Sequence, residues 1–275
     1  DKLDLREFAA IIESDGYSNS SGSVMKMAQG CSKYSLSLKN QPAGLMLTRH
    51  YRCHPLIIEF CNKLIYNGLL IPILSNKLNK LYHPFSYVEI RKSTASASGS
   101  SWVNHQEAKE IANFLHARHD EILNFYESKD SKQYRFEELI AILTPFAAQS
   151  HVIKRELRRV FDDKLVDEIV VGTAHSLQGS ERPIVLFSTV ANEQCPSNFL
   201  NNNTALLNVA VSRAKDVFIL FGDPKRYLKV SKTPTTPTQI LSSYIREHAK
   251  RIFPKHIVVV ESPNKVDAIS SMLGD

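Results

Sequence analysis

Arg52 and Arg213 have the side-chain type that can act directly on a reacting phosphate. A transferring phosphoryl group spreads negative charge over its oxygens, and a guanidinium set against it speeds hydrolysis by about 10³–10⁵-fold. Lysine cannot reproduce that flat, permanently charged fork. Arg52 follows an apolar run in the segment Leu47–Pro55, and Arg213 lies in the helix-forming segment Leu207–Lys215. On residue type alone, ordinary surface ion pairs are the better account of both, since most arginines are solvated. In Gln178-Gly179-Ser180-Glu181, the glycine permits a close or left-handed backbone and the carboxylate is a natural partner for ribose hydroxyls. Taken alone, a glycine turn with a solvated glutamate explains that string equally well. Thr144-Pro145 and Thr173-Ala174-His175 bring hydroxyl, amide and imidazole donors to two strand ends. Donors of this kind position a nucleic acid backbone without reading its bases.

Regular elements must hold these groups. Apolar, β-rich runs fall at 45–48, 87–91, 139–144, 169–172, 184–190 and 217–221, alternating with helical patterns. A first helix is expected from Pro55, with Leu56, Ile57, Phe60 and Leu64 on one face. A second is expected from about Asn104, a good N-cap with Glu107 three residues on. A third, near 147–161, turns Val152, Ile153 and Leu157 inward and Lys154, Arg155, Arg158 and Arg159 outward. That basic face suits a phosphate rail, although a solvated helix face is the simpler reading. Continuous apolar strands alternating with helices predict an α/β fold, a parallel sheet with helices on both faces. Function in such sheets gathers beyond the carboxyl ends of the strands, and each motif is expected there.

Four segments, Leu47–Pro55, Leu143–Gln149, Val171–Glu181 and Leu207–Lys215, are similar in order and content to the motifs of one family. They resemble the second RecA-like domain of superfamily 1 helicases, in the Upf1-like branch. Asn104-x-x-Glu107-Ala108 and Asn62-x-x-Ile65-Tyr66-x-Gly68-x-Leu70 fit the same branch, and the resemblance spans about residues 45–225. It implies a RecA-like, P-loop NTPase-like fold and an ATP site shared with a first RecA-like domain. It places Arg52 and Arg213 at the γ-phosphate, with Tyr51, Gln178, Gly179 and Glu181 at the nucleotide and Glu181 on the ribose. It also sets Thr144, Pro145, Thr173 and His175 against single-stranded nucleic acid. Phe146 and Tyr51 could stack on bases or on adenine, though an aromatic at a strand end is more often core. Two positions depart from the pattern. His50 stands where the family usually has Gln, and His175 where it usually has an acidic residue.

The sequence contains no G-x-x-x-x-G-K-[ST] loop and no acidic strand-end pair for Mg²⁺. Both are expected on the partner domain, which would precede Asp1, so the chain by itself should hydrolyse ATP negligibly. Residues 1–40 read as a lead-in, 41–230 as the RecA-like domain, 231–254 as a Thr/Pro linker with a helix, and 255–275 as a βα stub. The stub, with His256-Ile-Val-Val-Val-Glu-Ser-Pro-Asn-Lys265, resembles the start of a Toprim domain of type IA topoisomerases. Such a neighbour would favour DNA over RNA as the strand. Four scattered cysteines, without a C-x-x-C, argue against a disulfide framework and for an intracellular, cytoplasmic protein. No metal site is expected, since His50, Cys53, His54 and Cys61 are poorly spaced for zinc. A 43% hydrophobic fraction excludes a disordered chain, and no apolar run is long enough to span a membrane. The net charge of +6 accommodates a polyanion without requiring one. Two rival readings are a nucleic-acid-binding module without a motor, and the helicase module of a Toprim topoisomerase or nuclease.

Overall fold

Six strands pair into one sheet in the order β10-β3-β9-β8-β6-β7, and every pair in it is parallel. In this computed structural model the described residues are 24, 27, 28, 31, 32, 46–75, 81–91, 93–177, 180–192, 195, 198–228 and 231–253. The strands are β3 (Phe85–Glu89), β6 (Ile140–Leu143), β7 (Val170–Gly172), β8 (Arg182–Ser188), β9 (Ala214–Gly222) and β10 (Lys250–Arg251). Before them come the two-residue strands β1 (Arg49–His50) and β2 (Ile71–Pro72), and between them a hairpin of β4 (Ala95–Ser98) and β5 (Ser101–Asn104). The helices are α1 (Pro55–Cys61), α2 (His105–Asp130), α3 (Phe136–Leu139), α4 (Ala147–Leu157), α5 (Asp163–Glu168), α6 (Asn198–Asn202), α7 (Thr204–Ser212), α8 (Pro224–Tyr227) and α9 (Pro237–His248).

Residue alternation along each strand feeds two cores. Val185 and Phe187 of β8, with Phe218 and Leu220 of β9, turn to one face, where α1, α7 and α9 bring Ile57, Phe60, Leu207, Val211, Leu241 and Tyr244. Ile184, Leu186, Val217 and Ile219 turn to the other, against Ile111 and Leu115 of α2, Ile153 and Leu157 of α4, and Val166 of α5. A strand buried on both sides has no polar face, which is why these runs are unbroken in sequence. The first core is centred on Phe85, whose ring lies 5.6 Å from Phe60, 5.1 Å from Phe218 and 5.0 Å from Tyr244.

Local chemistry explains several boundaries. Asn104 caps α2 by accepting from the Glu107 N–H at 3.1 Å, as its sequence position predicts. A π-helical turn, Asn62–Tyr66, follows α1, and left-handed Asn67 and Gly68 (φ 50° and 78°) end it. Asn62 then clamps the returning chain, donating to Leu70 O at 2.8 Å and accepting from Leu70 N–H at 2.9 Å. The spacing of Asn62 and Leu70 is thus a loop-closing device.

Three expectations need correction. The run at 45–48 is not a strand in its described part, and pairing begins only at Arg49. The hairpin β4–β5 was not anticipated, because Ser, Ala and Gly dominate it and only Trp102 and Val103 are large and apolar. Gly99, at φ 59°, supplies its turn. The helix expected in the segment 231–254 is present as α9, capped by Thr236 with Gln239. The segment is more than a linker, since α9 packs onto the sheet and β10 adds a parallel edge strand beside β3. An amphipathic helix must bury its apolar face, and Leu241, Tyr244 and Ile245 do so here.

The chain divides into two compact units, residues 1–49 and 50–275. In the first, the Cys31 N–H donates to Met27 O at 3.1 Å. The strand expected at 256–260 and the rest of the Toprim-like stub lie outside the described residues.

Candidate nucleotide site and strand-contact face

Tyr51 and Arg52 occupy the loop before α1, and backbone bonds fix that loop to the start of β9. The His54 N–H donates to Lys215 O at 2.8 Å, and Cys53 Sγ donates to Ser212 O at 3.3 Å. His50 turns its ring back on the loop, with Nε2 accepting from the Cys53 N–H at 3.0 Å. Burial and then the neighbouring Arg52 lower the His50 pKa, only partly offset by Glu181, so a neutral imidazole is favoured there. The family's Gln is replaced by a residue that shapes this loop. Burial pushes the Cys53 thiol up to about 12, so it is a packing group and not a nucleophile.

Glu181 precedes β8 and collects the cations. Its Oε2 lies 2.6 Å from Arg52 Nε, and its Oε1 lies 3.2 Å from Lys215 Nζ. Arg213 is the C-cap of α7, and the Arg182 N–H donates to its carbonyl at 3.1 Å, joining it to the start of β8. The Arg213 side chain donates from Nη1 to Ser180 O at 3.1 Å, while its Nε is sealed from solvent and has no hydrogen-bond partner among the described residues. Tyr51 stands exposed beside Arg52. The structure therefore brings Arg52, Glu181 and Arg213 together and adds Lys215, which the sequence reading passed over. Gln178 and Gly179 lie outside the described residues.

The site is not where the strand-end expectation put it. Glu181 and Arg213 stand at the amino ends of β8 and β9, where Arg182 and Ala214 are in register. Thr144 and Thr173 stand at the carboxyl ends of β6 and β7. Seven residues of β8 separate the two levels by ~20 Å along the strand direction. The sheet holds two candidate surfaces at opposite ends.

At the carboxyl end, Thr144 is fully buried; its Oγ1 accepts from the Phe146 N–H at 3.5 Å and its own N–H donates to Gly172 O at 3.0 Å. Pro145 is buried beside it. Thr173 is half-buried, and its carbonyl starts a 3-10 turn that carries His175. Gly172 is required at that corner, because a Cβ there would come within 2.8 Å of Ser176 Cβ. Phe146 packs at 5.2 Å on Phe199, whose ring is partly exposed. The three arginines of and after α4 carry surface ion pairs: Arg158 pairs with Asp163 and Asp167, Arg159 with Glu156, and Arg155 with Glu156 and the ring of His105.

Beneath this end lies a polar core that the sequence marked only as a cap. Glu107 is fully buried and accepts from Ser188 Oγ at 2.7 Å, the Val190 N–H at 2.8 Å, Thr189 Oγ1 at 3.1 Å and Asn104 Nδ2 at 3.3 Å. Burial pushes its pKa up to about 7 against the pull of those hydrogen bonds. Gln149 locks onto the same core, accepting from the Asn104 N–H and donating to Asn104 O and Ser188 Oγ. The family-like glutamines and asparagines here hold the fold.

The zinc candidates serve other ends. His50 and His54 accept from backbone N–H groups, and Cys53 and Cys61 donate to carbonyls. Among the described residues no helix is long and apolar enough to cross a membrane.

A family model described as an AAA domain matches residues 29–225. The chain is 28% identical over 213 residues to the "Regulator of nonsense transcripts 1 homolog" of Arabidopsis thaliana, covering 72% of this chain and 16% of that protein. It is 30% identical over 210 residues to the "Probable RNA helicase armi" of Drosophila melanogaster, covering 66% and 16%. With "Helicase sen1" of Schizosaccharomyces pombe it shares 24% over 186 residues, covering 65% and 10%. A solved structure, the C-terminal domain of a possible DNA helicase from Lactobacillus plantarum, aligns at TM-score 0.42 and 14% identity, covering 73% of this chain and 98% of that one. The chain thus spans only 10–22% of the length of the curated relatives it matches. The Toprim resemblance of the last residues has no counterpart among these matches. With the family model matched over well beyond half its length, the chain belongs to this AAA domain family, the C-terminal helicase domain of Upf1-like superfamily 1 helicases.

Proposed function

We propose that the chain is the C-terminal motor domain of an ATP-dependent nucleic-acid helicase or translocase. Its RecA-like part spans about 41–230, with α9 and β10 completing the sheet. One observation carries the reading: two cations, Arg52 and Lys215, meet on the Glu181 carboxylate, and Arg213 stands beside it on Ser180 O with its Nε a buried donor that has no acceptor among the described residues. A buried, unmet guanidinium donor is costly, and an anionic ligand relieves that cost. ATP with Mg²⁺ supplies the phosphoryl group, with the metal held by the N-terminal RecA-like domain of the same protein.

Within that site each residue has a distinct task. Arg52 and Arg213 are the arginine fingers, aimed across the cleft at charge that develops on the γ-phosphate. Glu181 accepts from the ribose, Gln178 and Gly179 belong to the same nucleotide-binding motif, and exposed Tyr51 flanks the base. Thr173 and the turn that carries His175 are assigned to a single strand at the opposite end of the sheet, and buried Thr144 and Pro145 set the backbone that meets it. Placing nucleotide and strand at opposite strand ends lets closure around ATP shift the grip on the strand. The setting is intracellular and cytoplasmic, in keeping with thiols that are mostly buried and unoxidised.

Arg213→Ala in the full-length protein is the test. Turnover is expected to fall by about 10³-fold or more with nucleotide binding largely kept. Unchanged turnover would refute the assignment. The strand is single-stranded nucleic acid. Its preference for DNA loses its ground once the Toprim resemblance is set aside, and relatives include one named an RNA helicase. Competition between DNA and RNA oligonucleotides of one sequence assigns the sugar.

A further inference from the structure

Glu181 spends both carboxylate oxygens on cations, Oε2 on Arg52 and Oε1 on Lys215. Each oxygen keeps a second lone pair, but a ribose hydroxyl that approaches must share an oxygen with a charged donor, and release of one cation to a phosphate leaves that oxygen wholly to the sugar. The two cations are held differently. Lys215 is the second residue of β9, and Glu181 directly precedes β8. Those two strand starts are joined in register at Arg182 and Ala214, and the Arg182 N–H donates to Arg213 O. The sheet ladder therefore holds the backbones that carry Lys215 and Glu181 side by side. Arg52 reaches Glu181 from a loop outside the ladder, and the two cationic side chains are equally half-exposed, 44% and 45%, so the difference between them lies in the backbone that carries each. An exposed ion pair of this kind is weakly held, and a phosphate that carries more charge outcompetes it.

We infer that Lys215 is a positioning residue of the nucleotide site, holding Glu181 through Oε1 while Arg52 exchanges Oε2 for a phosphate. The freed Oε2 then accepts from a ribose hydroxyl. One carboxylate thereby links ribose recognition to release of the arginine finger. This rests on the nucleotide reading proposed above and names a residue and an order of events that it does not contain. Without Lys215, Arg52 is the ion-pair partner that Glu181 retains among the described residues. The carboxylate then keeps Arg52, or it swings away from the ribose. Either way the nucleotide binds more weakly and its sugar is read less well.

The experiment measures steady-state ATPase of the full-length protein with ATP, 2′-deoxyATP and 3′-deoxyATP, for wild type, Lys215→Ala, Lys215→Arg and Arg213→Ala. Loss of a charge-assisted contact in the bound state should raise KM for ATP in Lys215→Ala by about five- to tenfold with kcat little changed. The ratio of KM for the deoxynucleotides to that for ATP should fall toward one. Lys215→Arg keeps the charge and should restore both. Lys215 is an exposed side chain, so the alanine variant is expected to fold, and its unfolding temperature checks this. Wild-type KM and sugar discrimination in Lys215→Ala overturn the inference, as does a Lys215→Arg protein as impaired as the alanine. If Arg213→Ala abolishes turnover while Lys215→Ala changes nothing, this inference alone fails. If Arg213→Ala turns over normally, the nucleotide reading fails and takes this inference with it.

Discussion

Glu107→Gln tests whether the buried polar core is held by charge or by hydrogen bonds. Four donors meet this carboxylate in a site closed to solvent, and the full acceptor capacity of a carboxylate is used. One donor belongs to Val190, a β-branched residue at φ 61°, a conformation it holds only under constraint. Burial outweighs the donors and raises the native pKa to about 7, against 4.5 for an unperturbed glutamate. The native state therefore binds a proton that the unfolded chain releases between those values. Stability falls as pH rises from about 4.5 to about 7 and is flat above it, by at most about 3 kcal/mol in all. Glutamine carries no titrating proton, so wild type should lose about that much relative to Glu107→Gln over the same window. Glu107→Ala is harsher. Asn104 Nδ2 still has Ser93 Oγ at 3.2 Å, but the Val190 N–H loses the acceptor that holds it. At about 1–3 kcal/mol per buried orphan, with two hydroxyls also disturbed, a cost of about 4 kcal/mol follows. Urea unfolding of the 275-residue chain at pH 5 and pH 7.5 reads both effects. Parallel pH profiles for wild type and Glu107→Gln would refute the argument.

Two further outcomes probe the packing. Gly222→Ala puts a Cβ 2.6 Å from Thr189 Oγ1 and 3.0 Å from the Tyr227 ring, so a loss of about 1–3 kcal/mol in thermal unfolding is expected. An alanine variant as stable as wild type would show that Tyr227 yields freely. Phe85→Ala empties the centre of the aromatic cluster and should cost about 3–5 kcal/mol in the same assay, and a loss below 1 kcal/mol would contradict the packing described.

Most of the sheet was legible because strand segments buried on both faces must be apolar, as β6, Ile184–Phe187 of β8 and Val217–Phe221 of β9 are. Helix α2 was legible through its cap, as was the start of α1 through Pro55. The hairpin β4–β5 and the edge strand β10 were not, since their residues are small or charged and pairing alone defines them. Motif strings located Arg52, Glu181 and Arg213, but sequence treats all strand-adjacent loops alike. It could not say that these three gather at amino ends while Thr144 and Thr173 lie at carboxyl ends. Nor could it tell that Thr144 is buried, or that Glu107 is a buried carboxylate and not a surface cap residue.

The amino-acid sequence by itself determined the α/β class, the family and the types of side chain available for phosphate chemistry, because these depend on local pattern and residue identity. Tertiary structure alone decided which charges share a space. Arg52, Glu181, Arg213 and Lys215 are separated by up to 163 positions in the chain, and the sheet register, not their spacing, brings them within ion-pair reach of one carboxylate or beside it.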